Sequence, residues 1–157
     1  MMKLFKKSGI NFISCPTENV YLEGRQDTYP KRRGITRVKE LYDNGINVCF
    51  AQDSMSDPWY PLGNGDMMMI LDHGIHLAQM MSPEEITNVL DLVTTNGAVT
   101  MNITDHYGIE ENKSANFIVL DAKSEFEAIC ERAGITASVR HGEFLFKKNS
   151  CKGNRSY

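Results

Sequence analysis

At 157 residues, 41% of them hydrophobic and 24% charged, the chain has the composition of one folded domain or two small ones, which argues against a disordered chain. Its 17 basic and 20 acidic residues leave a net charge of −3, which supplies no general field for nucleic acid or an anionic membrane. The longest apolar run, Met67 to Leu71, is five residues, far short of the roughly 18 that a spanning helix needs.

The N-terminus, Met1-Met2-Lys3-Leu4-Phe5-Lys6-Lys7, is basic but lacks the apolar stretch and cleavage site of a signal peptide, so a cytoplasmic location is expected. Gly9 to Cys15 is a short β-prone run ending at Pro16 and reads as a buried strand. Thr17 to Gly34 is polar and irregular and reads as a long loop, a feature often tied to function. Thr36 is a candidate cap for a helix with Val38, Leu41 and Tyr42 on one face, stopped at Asn44-Gly45. Ile46 to Phe50 is a second apolar strand. Strand, loop, helix, strand in this order predicts a parallel βαβ unit.

Asp53 to Gly65 is dense in Asp, Ser, Pro and Gly and holds the only tryptophan, Trp59. The C-terminal end of a parallel strand is where α/β proteins place their chemistry. Asp66 to Met81 predicts a helix with Met67, Ile70, Leu71, Leu77, Ala78 and Met81 facing inward. Ser82-Pro83-Glu84-Glu85 starts another, with Ile86, Val89, Leu90 and Val93 on its inner face. Beyond a boundary near Asn102 to Gly108, Asn116 to Leu120 reads as a strand and Ser124 to Ala133 as a helix capped by Ser124 and Glu127. Ala137 to Arg140 and Glu143 to Lys147 flank a tight turn at His141-Gly142.

Several residues carry chemistry, each with a plainer reading beside it. Asp53, directly after a buried strand, either binds a metal or moves protons, or it caps a loop. Trp59 offers a flat face to a planar ring, or it simply closes its loop. His73 and His76 stand one turn apart without a third ligand near in sequence, so a polar or packed helix position is the reading. Lys31-Arg32-Arg33 reads as a solvated or salt-bridged loop rather than an anion site, and the Met67-Met68-Met69 run as core filling. The four cysteines, at 15, 49, 130 and 151, have no zinc spacing and read as reduced, mostly buried thiols. No phosphate-binding glycine loop, no G-x-S-x-G elbow and no H-x-E…P-C-x-x-C signature is present.

Longer segments carry a resemblance. Gly24-Arg25, Asp27 to Glu40, Gly45 to Phe50 and Asp57 to Gly63, with Tyr107-Gly108-Ile109 and Ser114-Ala115-Asn116, together resemble the C-terminal part of bacterial cytosine deaminases of the amidohydrolase superfamily. The likeness runs from about Ser8 to Phe146. It implies the C-terminal portion of a (β/α)8 metal-dependent hydrolase barrel, namely its last two strands and their helices, plus strands of a small composite β-domain. Residues 1–104 would then belong to the barrel, residues 105–148 to the composite β-sandwich, and residues 149–157 to a frayed tail. A closed barrel takes about 200 residues or more, so this chain is not expected to build one alone.

By the same resemblance, Asp53 matches the aspartate that binds the divalent metal (iron or zinc) and shuttles protons, and Trp59 the tryptophan that packs on the pyrimidine. The implied reaction is hydrolytic loss of ammonia from a cytosine-like ring, a small-molecule substrate, with metal-activated water as nucleophile. Gln52 stands where the family usually has histidine, Ser54 where it usually has a second aspartate, and Asn112 where it usually has glycine. The family's other metal ligands and its catalytic glutamate have no counterpart among these residues. The chain alone is therefore expected to be inactive and to hold metal weakly, and contacts with the missing N-terminal barrel part or with a second copy are expected. The competing expectation is a non-catalytic product acting as a small binding or interaction domain.

Overall fold

Two short β-prone runs, Phe12–Ser14 (β1) and Val48–Phe50 (β2), pair in parallel in the computed structural model, which describes residues 1–148. The register sets Phe12 beside Val48, Ile13 beside Cys49 and Ser14 beside Phe50. This is the parallel pair expected from the sequence, with two corrections. The first strand is shorter than Gly9 to Cys15, and it is not buried throughout: Ile13 is 56% exposed. Among the described residues β1 has a single strand neighbour, so only one of its edges is paired.

The N-terminal basic stretch forms a short helix, Met2–Ser8 (α1), that ends on Gly9 in the left-handed conformation. Pro16, read from sequence as the end of a strand, instead opens a helix, Pro16–Leu22 (α2). Proline's fixed φ and missing N–H suit the first helical position, where that donor has no partner anyway. The first third of the segment expected to be a loop is therefore helix. Val38–Asp43 (α3) follows, with Val38 and Leu41 buried. Arg37, not Thr36, occupies its N-cap position, and no side chain caps it. The stop at Asn44-Gly45 is as expected, with Gly45 at φ 63.

Met67–Ala78 (α4) is capped by Asp66, whose carboxylate accepts from the Met68 and Met69 amides. The helix ends earlier than predicted because Gln79 takes the left-handed conformation. Past that break Met80 is buried while Met81, expected inside, is exposed; within α4 itself Leu77, also expected inside, is exposed. The methionine run Met67 to Met69 is half-buried. Phe50 and α4 meet at Gly74, where a β-carbon would lie 2.6 Å from the Phe50 ring. Only glycine lets the helix approach β2 so closely.

Pro83–Ile86 (α5) carries the predicted capping box between Ser82 and Glu85. Lys39 of α3 pairs with Glu85 and ties the two helices together. The single helix expected beyond it is broken into α5, a 3-10 turn at Val89–Val93 and a further helix, Thr95–Thr100 (α6). Val38, Leu41, Val48, Phe50, Ile70, Leu71, Ile75, Met80, Val89, Leu92 and Ala98 form the buried core. These elements make up a first compact unit, from Met1 to Thr104, and a second unit begins at Asp105.

The second unit is a three-stranded antiparallel sheet of Phe117–Leu120 (β3), Ile135–Arg140 (β4) and Glu143–Lys147 (β5), in that order. His141 and Gly142, both at positive φ, make the predicted turn. Glu125–Cys130 (α7) links β3 to β4. Ser124 accepts from the Glu127 amide, but Glu127 reaches back to the Lys123 amide rather than closing a box on Ser124. Asn112 sits at φ 66, as expected for a residue replacing glycine. The expected frayed tail, residues 149–157, lies outside the described residues. Among the described residues, no helix is long and apolar enough to cross a membrane.

Candidate functional site

The loop between β2 and α4 turns through two non-glycine residues in the left-handed region, Asp53 and Ser56 (φ 52). Asp53 has φ 68, a conformation costly for most side chains but tolerated by aspartate. Its side chain is exposed. The ladder runs on through the Ala51 amide, which donates to the Ser14 carbonyl. Beyond that bond the strand pairing stops, and Gln52 is buried while Asp53 is exposed. Gln52 is buried, and its amide atoms, like Ser14 Oγ and Thr17 Oγ1, have no hydrogen-bond partner among the described residues.

Ser54 is fixed by a residue that sequence reasoning missed. Glu18, in the first turn of α2 and only 5% exposed, accepts from the Ser54 amide at 2.9 Å and from Ser54 Oγ at 2.8 Å. The signal was present in Cys15-Pro16-Thr17-Glu18, because an acid two residues after a proline marks a helix start. Tyr60 packs edge-on against Tyr21 of α2, with ring centroids 5.9 Å apart, and Arg25 covers the Tyr21 ring at 5.6 Å. Helix α2 thus grips the loop at two points.

The loop also closes on itself. Asp57 Oδ1 accepts from the Trp59 and Tyr60 amides, and these bonds, the Tyr60 amide's foremost, hold its carboxyl below the usual carboxylate range. Ser56 donates to the Gly63 carbonyl. Gly63 presses on Ser54 so closely that a β-carbon would lie 2.1 Å from the Ser54 carbonyl oxygen. Trp59 stands outward on this frame, 63% exposed. A flat, accessible indole and an accessible carboxylate on one braced loop suit the binding of a planar, polar-edged ring.

Cys15 borders the same place. Burial first, then the nearby Asp53 carboxylate, then Glu18, push its thiol up to about 11, so it stays protonated and is a poor nucleophile near neutrality. Cys49 is buried, but Cys130 is exposed, against the expectation of mostly buried thiols. The predicted basic cluster is spent on its own loop: Arg32 grips Asp27 through two bonds, of 2.6 and 2.9 Å, and Lys31 donates to the Arg25 carbonyl. His73 and His76 each bond a backbone carbonyl of α4. Among the described residues, no three His, Cys, Asp or Glu side chains converge as a metal site. Asp53 alone does not constitute one.

The amidohydrolase family profile matches residues 1–146. The crystal structure of 5-methylcytosine deaminase from Klebsiella pneumoniae, liganded with 5-fluorocytosine, superposes with a TM-score of 0.90 at 50% identity over 95% of this chain and 36% of that one. N-isopropylammelide isopropyl amidohydrolase of Pseudomonas sp. (strain ADP) is 28% identical over 92% of this chain and 32% of its own length. Pterin deaminase of Rhizobium rhizogenes (strain K84 / ATCC BAA-868) is 28% identical over 90% of this chain and 32% of its own. The chain thus spans about a third of each relative. With a profile match across nearly all of its residues, the chain belongs to the amidohydrolase family.

Proposed function

We propose that this chain is the C-terminal part of a hydrolase that deaminates cytosine or a close relative such as 5-methylcytosine. What carries the reading is the 50% identity to 5-methylcytosine deaminase over 95% of the chain, together with the exposed Asp53 and Trp59 on one braced loop. In this reading residues 1–104 supply the last two strands of a (β/α)8 barrel and residues 105–148 supply strands of a composite β-sandwich. The setting is cytoplasmic.

Asp53 takes and returns a proton at its carboxylate and would serve as one ligand to a divalent metal, iron or zinc, which would supply an activated water. The described residues do not complete that metal's shell, so its remaining ligands would come from the rest of the barrel. Trp59 lays its indole on the ring face, which adds contact area without choosing hydrogen-bond partners. The chain alone is inactive, because affinity for metal and activation of water need several converging ligands.

Kinetics of the protein completed with the rest of the barrel test these roles. Trp59→Ala should lower kcat/KM by about 10-fold or more, as for other aromatic–base stacks, with metal content intact. Asp53→Ala should lose both metal and kcat. Equal metal loss in the two variants, or an unaffected Trp59→Ala protein, contradicts the assignment.

A further inference from the structure

Helix α2 is the only described element that reaches the Asp53–Gly63 loop with a buried charge. The carboxylate of Glu18 lies 36 residues upstream of Ser54, is 5% exposed, and accepts both hydrogens that Ser54 can give, one from the backbone and one from the side chain. The backbone bond falls on the peptide directly after Asp53, where the chain turns through φ 68. Releasing it would leave a buried amide and a buried carboxylate without partners, and it would free the turn that aims Asp53. Gly63 rests on the carbonyl of that same Ser54, so the far end of the loop depends on the same anchor.

We infer that Glu18 is a positioning residue that sets the orientation of Asp53 and the closure of the Trp59 loop by clamping Ser54. The clamp is a structural property of this chain. Its consequence for catalysis rests on the deaminase reading above. Charge complementarity makes the pair specific. Ser54 suits a carboxylate at 18 because it offers two donors and no charge. An aspartate at 54 would set two carboxylates in contact in a buried place. With glutamine at 18, however, an aspartate at 54 is accommodated: the glutamine oxygen accepts the backbone amide while its NH2 donates to the new carboxylate.

The test is amide hydrogen–deuterium exchange of the whole chain, resolved by segment, beside its thermal melt. Glu18→Ala is expected to speed exchange across residues 52–63 by about 10-fold or more, the scale of a lost charge-assisted bond, while α4 and β4 keep their protection. Ser54→Asp should do the same, and Glu18→Gln with Ser54→Asp should restore protection. Unchanged exchange of the loop in Glu18→Ala, or failure of the double variant to restore what Ser54→Asp loses, overturns the clamp. If Glu18→Ala unfolds the chain outright, the Ser54→Asp single and the double variant still decide it. None of these readouts involves ammonia release, so the clamp can fail while the deaminase assignment stands, and the reverse.

Discussion

In the first unit, β2 is buried along its whole length, and Ile70, Leu71, Met80, Val89 and Leu92 close around it. In the second, a larger sheet of three strands keeps only Ala137 and Val139 buried, while Phe117, Ile118, Val119, Phe144, Leu145 and Phe146 are all exposed. The two differ less in hydrogen bonding than in what covers the strands. A sheet is stabilised by burying a face, and a ladder alone is marginal. The candidate site hangs from the unit with the core, which gives its loop a fixed frame. The apolar side chains of the second unit are of the kind that a further layer would cover.

Truncations should expose this difference most strongly. Leu71→Ala removes a fully buried side chain and should cost about 2–5 kcal/mol in urea unfolding. A loss below about 1 kcal/mol would mean that the first unit lacks the tight core described here.

A smaller effect should appear at alkaline pH. Between its ordinary value of 9.0 and about 11, the Cys15 thiol holds its proton in the folded chain but loses it in the unfolded one. The folded state then binds more protons, so stability falls as pH rises through that window and is fully present below it. Melts from pH 8 to 11 should show the decline in the wild type and a weaker one in Cys15→Ser. Identical profiles would mean that the Cys15 thiol is not held protonated by burial and its neighbouring carboxylates.

The smallest effect is expected in the second unit. Phe144, 61% exposed, should change stability by less than about 0.5 kcal/mol when replaced by alanine. A cost comparable to that of Leu71→Ala would show that this sheet is covered in solution.

Much of the frame was legible in the sequence because periodicity and turn residues act locally. The Asn44-Gly45 stop, the Ser82 capping box and the His141-Gly142 turn follow from neighbours in the chain, and the parallel pair from the order of strand, helix and strand. What was missed depends on choices that the local pattern leaves open. Pro16 ends a strand and starts a helix equally well, and taking only the first hid α2 and with it Glu18. The end of α4 was misplaced because Gln79, no usual helix stop, adopts a left-handed turn there. Asp53 and Trp59 stand out in the sequence, but the grip on their loop does not. Its partners, Glu18 with Ser54 and Tyr21 with Tyr60, are distant in sequence and carry no spacing signal.

The most direct measurement is ammonia release from cytosine and 5-methylcytosine by this chain, first alone and then completed with the rest of a deaminase barrel, in wild-type and Asp53→Asn forms. The account predicts no release by the chain alone, release by the completed protein, and its loss in Asp53→Asn. Release by the isolated chain, or a completed protein that is active regardless of residue 53, would contradict it.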